Sequence, residues 1–98
     1  MTYKKNDSRI VAFAADIKER LEEISMGYDE NAINKVARHI FIMADDHGDD
    51  MNYHNFTADM AFALCKYVGM DIPMIRELGD NNFKIMFTAW KLRKKWIF

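Results

Sequence analysis

The stretch Gly69-Met70-Asp71-Ile72-Pro73 contains the end of one helix and the start of the next. Glycine accepts the left-handed conformation that ends a helix, and an aspartate side chain accepts hydrogen bonds from the free N–H groups of a new first turn. Proline suits that first turn because its missing N–H is no loss there. The pattern recurs at Gly27-Tyr28-Asp29 and Gly48-Asp49-Asp50, with a shorter version at Gly79-Asp80. All four glycines are therefore predicted to lie at or just beyond a helix end.

Apolar residues between these turns recur at steps of three and four, which is the spacing of one face of a helix. The first helix is predicted to run from Asp7 or Ser8 to Met26, and the second to begin after Asp29. A third helix follows the polar connection from Asp49 to His54 and ends at Gly69. A short helix over 74–78 and a longer last helix complete the series. The predicted caps of the last three helices are Asn55 or Thr57, Asp71, and Asn81 or Asn82.

The fold class expected from this series is all-α, a compact bundle of four longer helices plus one short helix joined by Gly-Asp turns. A chain of 98 residues suits one hydrophobic core, so residues 1–98 are interpreted as a single helical domain. The core is expected to form from the narrowest apolar stripe of each helix. The predicted core residues are Ile17, Leu21, Ile33, Ile40, Met43, Met60, Leu64, Phe83, Phe87 and Trp90.

Charge is balanced overall but unevenly distributed along the chain. The formal net charge of −1 argues against a general polyanion binder and also against a DNA mimic covered in carboxylates. Residues 45–59 nevertheless hold five acids and no base, whereas residues 84–98 hold five bases and no acid. The opposite ends of this distribution are candidates for contact with partners or with a second copy of the chain.

The sequence favours a protein of the cytoplasm. Cys65 is the only cysteine, so no internal disulfide can form, and its apolar neighbours predict a buried and inert thiol. The residues after Met1 lead into an amphipathic segment without the pattern of a signal peptide. No stretch has the ~20 apolar residues that span a bilayer. No membrane partner is therefore expected.

No metal, cofactor or catalytic group is expected. Counting Asp45 as the first position of a calcium loop puts Phe56 where a bidentate glutamate should close the site. His39, His47 and His54 are too scattered to form a metal site among themselves. The acidic loop over 45–50 is interpreted as a solvated turn or a contact surface. The chain also has no recognisable catalytic triad and no phosphate-binding glycine loop, so it is not expected to be an enzyme.

Residues 65–78 have the spacing of a helix-turn-helix. The small residue Cys65 lies four positions before Gly69, and Ile75 and Leu78 lie where a second helix would pack back on the first. The chemistry suits DNA poorly, because Arg76 stands beside Glu77, between Asp71 and Asp80. A structural helical corner explains the same residues.

The basic end of the chain is the favoured contact surface, because its bases alternate with aromatic residues. Such a segment can dock on an acidic protein surface or grip nucleic acid. The exposed aromatic side chains expected at the chain end add apolar anchors, which favours a protein partner. The predicted partner-binding residues are Lys91, Arg93, Lys94, Lys95, Trp96 and Phe98.

The function expected from these features is that of a small, non-enzymatic regulator or inhibitor. It would act stoichiometrically on a larger protein or complex with an acidic surface, and by analogy alone resembles small proteins of phages and mobile elements. The alternative is a nucleic-acid-binding regulator that uses the basic C-terminal helix or the segment 65–78. A homo-oligomer held by the opposite charges is also open, and a small ligand or metal at the acidic loop is the weakest reading.

Overall fold

The structure is a computed structural model that describes residues 3–4, 7–46 and 51–95, and within this part of the chain it contains helices and no strand. Gly48, His47, Trp96 and Phe98 lie outside the described residues, as do most of the acidic loop and the side chains of Asp45 and Asp46. The helices are α1 (Ser8–Glu23), α2 (Glu30–Asp46), α3 (Tyr53–Ala63) and α4 (Ile72–Lys94), and a π-helical turn (Leu64–Val68) extends α3.

The helices close a ring around one core. The first helix, α1, packs against both α2 and α4, while α3 packs against both α2 and α4. Apolar residues of every helix meet in the centre, and no polar residue is buried among the described residues. The all-α bundle expected from the sequence is confirmed.

The predicted core is also confirmed in most of its members. Eight of the ten predicted residues are buried, and Met43 and Phe87 are partly buried against the same core. The list of predicted core residues left out several side chains that are also fully buried. They include Ile10, Phe13, Phe41 and Phe56.

The end of α1 differs from the prediction. The helix stops at Glu23 instead of Met26, and Ser25 adopts the left-handed conformation with φ 59°. The backbone N–H of Met26 donates to the carbonyl of Leu21 at 3.0 Å, and that of Ser25 to Glu22 at 2.9 Å. These two bonds satisfy the last carbonyls of the helix in the usual glycine-ended pattern. Serine therefore takes the role that the sequence assigned to Gly27.

The cap of α3 also differs from the prediction. Asn52 is the N-cap, and its side-chain oxygen accepts a hydrogen bond from the backbone N–H of Asn55 at 2.8 Å. Asn55 and Thr57 therefore lie inside the first turns of α3. Both residue types, asparagine and threonine, can cap a helix, so composition alone did not distinguish the position.

The turn at Gly69 has the predicted form. Gly69 is left-handed with φ 82°, and the Asp71 side chain accepts from the Met74 N–H at 3.0 Å, with Pro73 in the first turn of α4. The residues before Gly69 form a π-helical turn instead of regular α-helix. Because π-helical hydrogen bonding inserts extra backbone, it shifts the directions of the side chains of Lys66 and Tyr67.

Gly79 divides α4 into the predicted short and long parts. Its backbone, at φ 79° and ψ 162°, is not helical although the helix continues on both sides. The predicted cap at Asn81 or Asn82 is wrong, because both residues have helical backbone, and the Asn82 side-chain amide donates to the carbonyl of Leu78 at 2.6 Å. The Tyr53 hydroxyl donates to the Asp80 carboxylate at 2.5 Å, which ties the start of α3 to this break.

Candidate functional site

The predicted contact surface begins with lysines that lie over aromatic rings. The Lys91 ammonium is 4.5 Å from the centre of the Phe87 ring, and that of Lys94 is 5.1 Å from the centre of the Trp90 ring. The Trp90 ring is buried and stacks on Phe87 with ring centres 6.0 Å apart. These two lysines therefore carry positive charge above the aromatic part of the core.

Arg93 has a different role from its lysine neighbours. Its guanidinium donates two hydrogen bonds to the Asp16 carboxylate of α1, from Nε at 2.8 Å and from a terminal nitrogen at 3.0 Å. This bond raises the pKa of Arg93 above its ordinary value, with the Asp16 charge adding to the effect. The pair joins the end of α4 to α1, so Arg93 serves the fold as well as the surface.

The predicted partner-binding residues consequently separate into groups. Lys91 and Lys95 are exposed, Lys94 is half-buried, and Arg93 is held by α1. We call Lys91, Arg93, Lys94 and Lys95 the α4 terminus. Trp96 and Phe98, the apolar anchors of the prediction, lie outside the described residues.

A second basic surface, which the sequence analysis missed, lies where α2 meets the π-helical turn. The His39 imidazole contacts Phe62 and Tyr67, with ring centres 5.6 and 5.9 Å apart. The Lys66 ammonium lies 5.6 Å from the Phe62 ring centre and 5.3 Å from that of Tyr67. Phe62 is 55% exposed, so its ring lies at the surface although it contacts His39 and Lys66.

Two further bases of α2 extend this surface. Lys35 and Arg38 line an open groove of about 650 Å³ with Asn31 and Asn34, and they also line an adjoining hollow of about 160 Å³ with Ile42. Among the residues that the structure describes, neither base has an acidic partner, and nor has Lys66. We call this surface the basic aromatic face, which consists of Lys35, Arg38, His39, Ile42, Phe62, Lys66 and Tyr67.

His39 is the titratable group at the centre of the basic aromatic face. Burial lowers the pKa of His39 below its ordinary value, the Asp59 charge opposes this shift, and the Lys66 charge adds to it. The imidazole is therefore neutral at neutral pH, and its protonation in mild acid would add a positive charge to the face.

The sequence offers little warning of this face because its residues come from two separate segments. Lys35 and Arg38 are isolated bases within α2, and Lys66 is the single base between Arg38 and Arg76. The one usable signal is Phe62, which lies off the stripe formed by Met60, Ala63 and Leu64. Its position predicts an exposed ring, although a single exposed aromatic residue does not by itself indicate a function.

Most of the acidic loop, which the sequence analysis weighed as a metal site, lies outside the described residues. No cluster of three or more metal-ligating side chains occurs among residues 3–4, 7–44 and 51–95, the part in which side chains are described. Cys65, which lies in the π-helical turn, is partly exposed instead of buried as predicted.

The segment 65–78 forms a helical corner, as its structural interpretation expected. Asp71 caps α4, and the helical part that follows ends at the break of Gly79. Arg76 and Glu77 are both exposed beside each other. A reading helix with one base next to an acid remains a poor match for DNA.

A groove between α1 and α2 is a weak candidate for a small ligand. It encloses about 240 Å³ and is lined by Val11, Ala15 and Asn34, with the Lys18–Glu30 ion pair at its edge, where the two atoms are 2.7 Å apart. Ligand pockets usually enclose about 300–1,000 Å³ and hold convergent polar groups. This groove is smaller and its charges already neutralise each other.

Comparisons with protein families, with curated proteins and with solved structures find no match to this chain. Among the helices that the structure describes, none is long and apolar enough to cross a membrane. Function therefore has to be argued from the surfaces themselves.

Proposed function

We propose that the protein is a small, non-enzymatic regulator or inhibitor that binds stoichiometrically to an acidic surface of a larger protein or complex. The observation that carries the proposal is the row of lysines on the α4 terminus, of which Lys91 and Lys94 lie above the rings of Phe87 and Trp90. Lys91 and Lys95 face solvent, so they can meet carboxylates of a partner without breaking a bond within the chain. The lone cysteine agrees with a reducing compartment, and we place the protein in the cytoplasm.

The role of Arg93 in this proposal is to position the α4 terminus. Its bidentate bond to Asp16 fixes the last turn of α4 against α1 and so reduces the ordering cost when a partner binds. A basic helix end that is ordered and lies over aromatic rings is suited to anchor an interface.

Affinity purification of tagged protein, read by mass spectrometry, tests the proposal. We expect a partner to co-purify with the wild type and to be lost with Lys91→Glu combined with Lys95→Glu. Arg76→Glu is the matched control, because Arg76 is an exposed base on the other part of α4. A partner retained equally by all three proteins, or no partner at all, contradicts the proposed surface.

The second candidate function is nucleic-acid binding, which the same lysines favour through phosphate contacts. It predicts gel shifts with mixed DNA or RNA and a steep loss of affinity with added salt. Sub-micromolar retention at low salt would support this alternative and overturn the protein-binding proposal.

A further inference from the structure

We propose that the basic aromatic face is a second interaction surface, which binds a short acidic segment of a partner protein through one aliphatic anchor. This inference rests on the proposed function only in taking a protein as the partner. The α4 terminus lies beside α1, whereas the basic aromatic face lies on α2, the end of α3 and the π-helical turn, so the two surfaces can be altered separately.

Charge complementarity identifies the ligand as anionic. Five bases of the described chain form ion pairs with acids, as in Lys18 with Glu30 and Lys84 with Asp80. Lys35, Arg38 and Lys66 converge on one surface and have no such partner in the part of the chain that the structure describes. The acid whose charge reaches the face is Asp59, beside His39. The excess of positive charge calls for carboxylates or phosphates from outside.

The shape of the face suits an extended peptide. The groove and the adjoining hollow share Lys35 and Arg38, and together they follow α2 from Asn31 to Ile42. Eleven residues of helix rise about 16 Å, which an extended chain of about five residues covers. The side-chain amides of Asn31 and Asn34 can bond to a peptide backbone along this path.

The hollow accounts for the aliphatic anchor. It encloses about 160 Å³, and Ile42 and Tyr67 supply apolar lining between the bases. Ile42 is 36% exposed, so an aliphatic side chain of the partner would remove apolar surface of both molecules from water. In an acidic segment with one aliphatic residue, the carboxylates can contact the bases and the aliphatic side chain can contact Ile42 and Tyr67 in the hollow.

The arrangement of the rings favours a peptide over a nucleic acid. Single-stranded nucleic acid binds by stacking its bases on open aromatic faces. The Phe62 ring already has the Lys66 ammonium over it and the His39 ring tilted against it at 35°. Stacking would have to displace these groups, whereas carboxylates can reach Lys66 and Arg38 with the rings in place.

Fluorescence anisotropy with two labelled probes tests the inference. The first probe is a capped peptide of sequence Glu-Asp-Leu-Glu-Asp, with Gln-Asn-Leu-Gln-Asn as its uncharged control, and the second is a single-stranded oligothymidine. We expect the acidic peptide to bind full-length protein at low salt, and Lys66→Glu with Arg38→Glu to weaken binding by about tenfold or more. Lys91→Glu with Lys95→Glu, and the control Arg76→Glu, should each change it less than about twofold.

A milder pair, Lys66→Gln with Arg38→Gln, guards against a folding defect, and its helical content and melting should match the wild type. The milder pair should also weaken binding of the acidic peptide. Phe62→Ala, which removes a ring that the Lys66 ammonium lies over, should weaken binding with no change of charge. Binding that is lost only with the Lys91 and Lys95 variant would overturn this inference while leaving the proposed function in place. No peptide binding, or binding of oligothymidine in preference to peptide, would also overturn it.

Discussion

The two basic surfaces differ in how the fold uses their charges. At the α4 terminus, Arg93 is bonded to Asp16 and the Lys91 ammonium lies over the Phe87 ring, so these charged groups also make contacts within the fold. On the basic aromatic face, Arg38 and Lys66 have no acidic partner in the described structure. The most conspicuous run of bases in the sequence therefore includes one residue that is used within the fold, whereas the bases of the basic aromatic face form no ion pair with a described acid.

The largest expected difference between the two surfaces concerns their aromatic residues. Phe56 is fully buried beneath the α4 terminus, with ring centres 5.1 Å from Phe87 and 6.0 Å from Trp90. Phe56→Ala should lower the free energy of unfolding by about 3–5 kcal/mol because it opens a cavity. Phe62→Ala, on the basic aromatic face, should lower it by less than about 0.5 kcal/mol. Urea unfolding of both variants measures the contrast, and similar losses would show that Phe62 belongs to the core.

The next expected effect separates the two arginines. Arg93→Ala removes two charge-assisted bonds to a mostly buried Asp16 and should cost about 1–3 kcal/mol of unfolding free energy. Arg38 makes one long bond, 3.4 Å to the Lys4 carbonyl, so Arg38→Ala should change stability by less than about 0.5 kcal/mol. Equal losses in thermal or urea melts would remove the distinction between an internal and a free base.

A smaller effect is expected from pH at the basic aromatic face. Burial places the pKa of His39 in the folded state below the ordinary value of about 6.5, so the unfolded chain binds the proton more readily. The stability contributed by neutral His39 is complete above pH 6.5 and is lost as pH falls from there through the folded pKa. The difference between wild type and His39→Gln in urea melts should therefore narrow as the solution is acidified. A difference that is constant, or that widens in acid, would contradict this account of His39.

Much of the fold followed from local sequence signals. The turn at Gly69 and Asp71 was predictable because a left-handed glycine, a capping aspartate and a proline act within five residues. The end of α1 was not predictable in this way. There Ser25 adopts the left-handed conformation, together with the hydrogen bonds from the Ser25 and Met26 N–H groups to the end of the helix. Such a choice depends on the hydrogen bonds of the whole turn, and glycine is favoured there without being required.

The candidate sites were less predictable, because they depend on contacts between distant residues. The lysines of the α4 terminus were visible as a run, but the Asp16 that holds Arg93 lies 77 residues away in sequence. The basic aromatic face combines α2 with the end of α3 and the π-helical turn, and only the packing of these elements places His39 against Phe62. Charge counts along a chain do not contain that information.

The central claim is that the basic aromatic face binds an acidic protein segment, and an amide NMR titration of the full chain tests it most directly. Adding the Glu-Asp-Leu-Glu-Asp peptide should shift the amide signals around Lys35, Arg38 and Lys66 in a saturable manner, with small changes at the α4 terminus. The uncharged Gln-Asn-Leu-Gln-Asn peptide should shift the face signals far less. Shifts confined to the α4 terminus, or none that saturate, would contradict the claim.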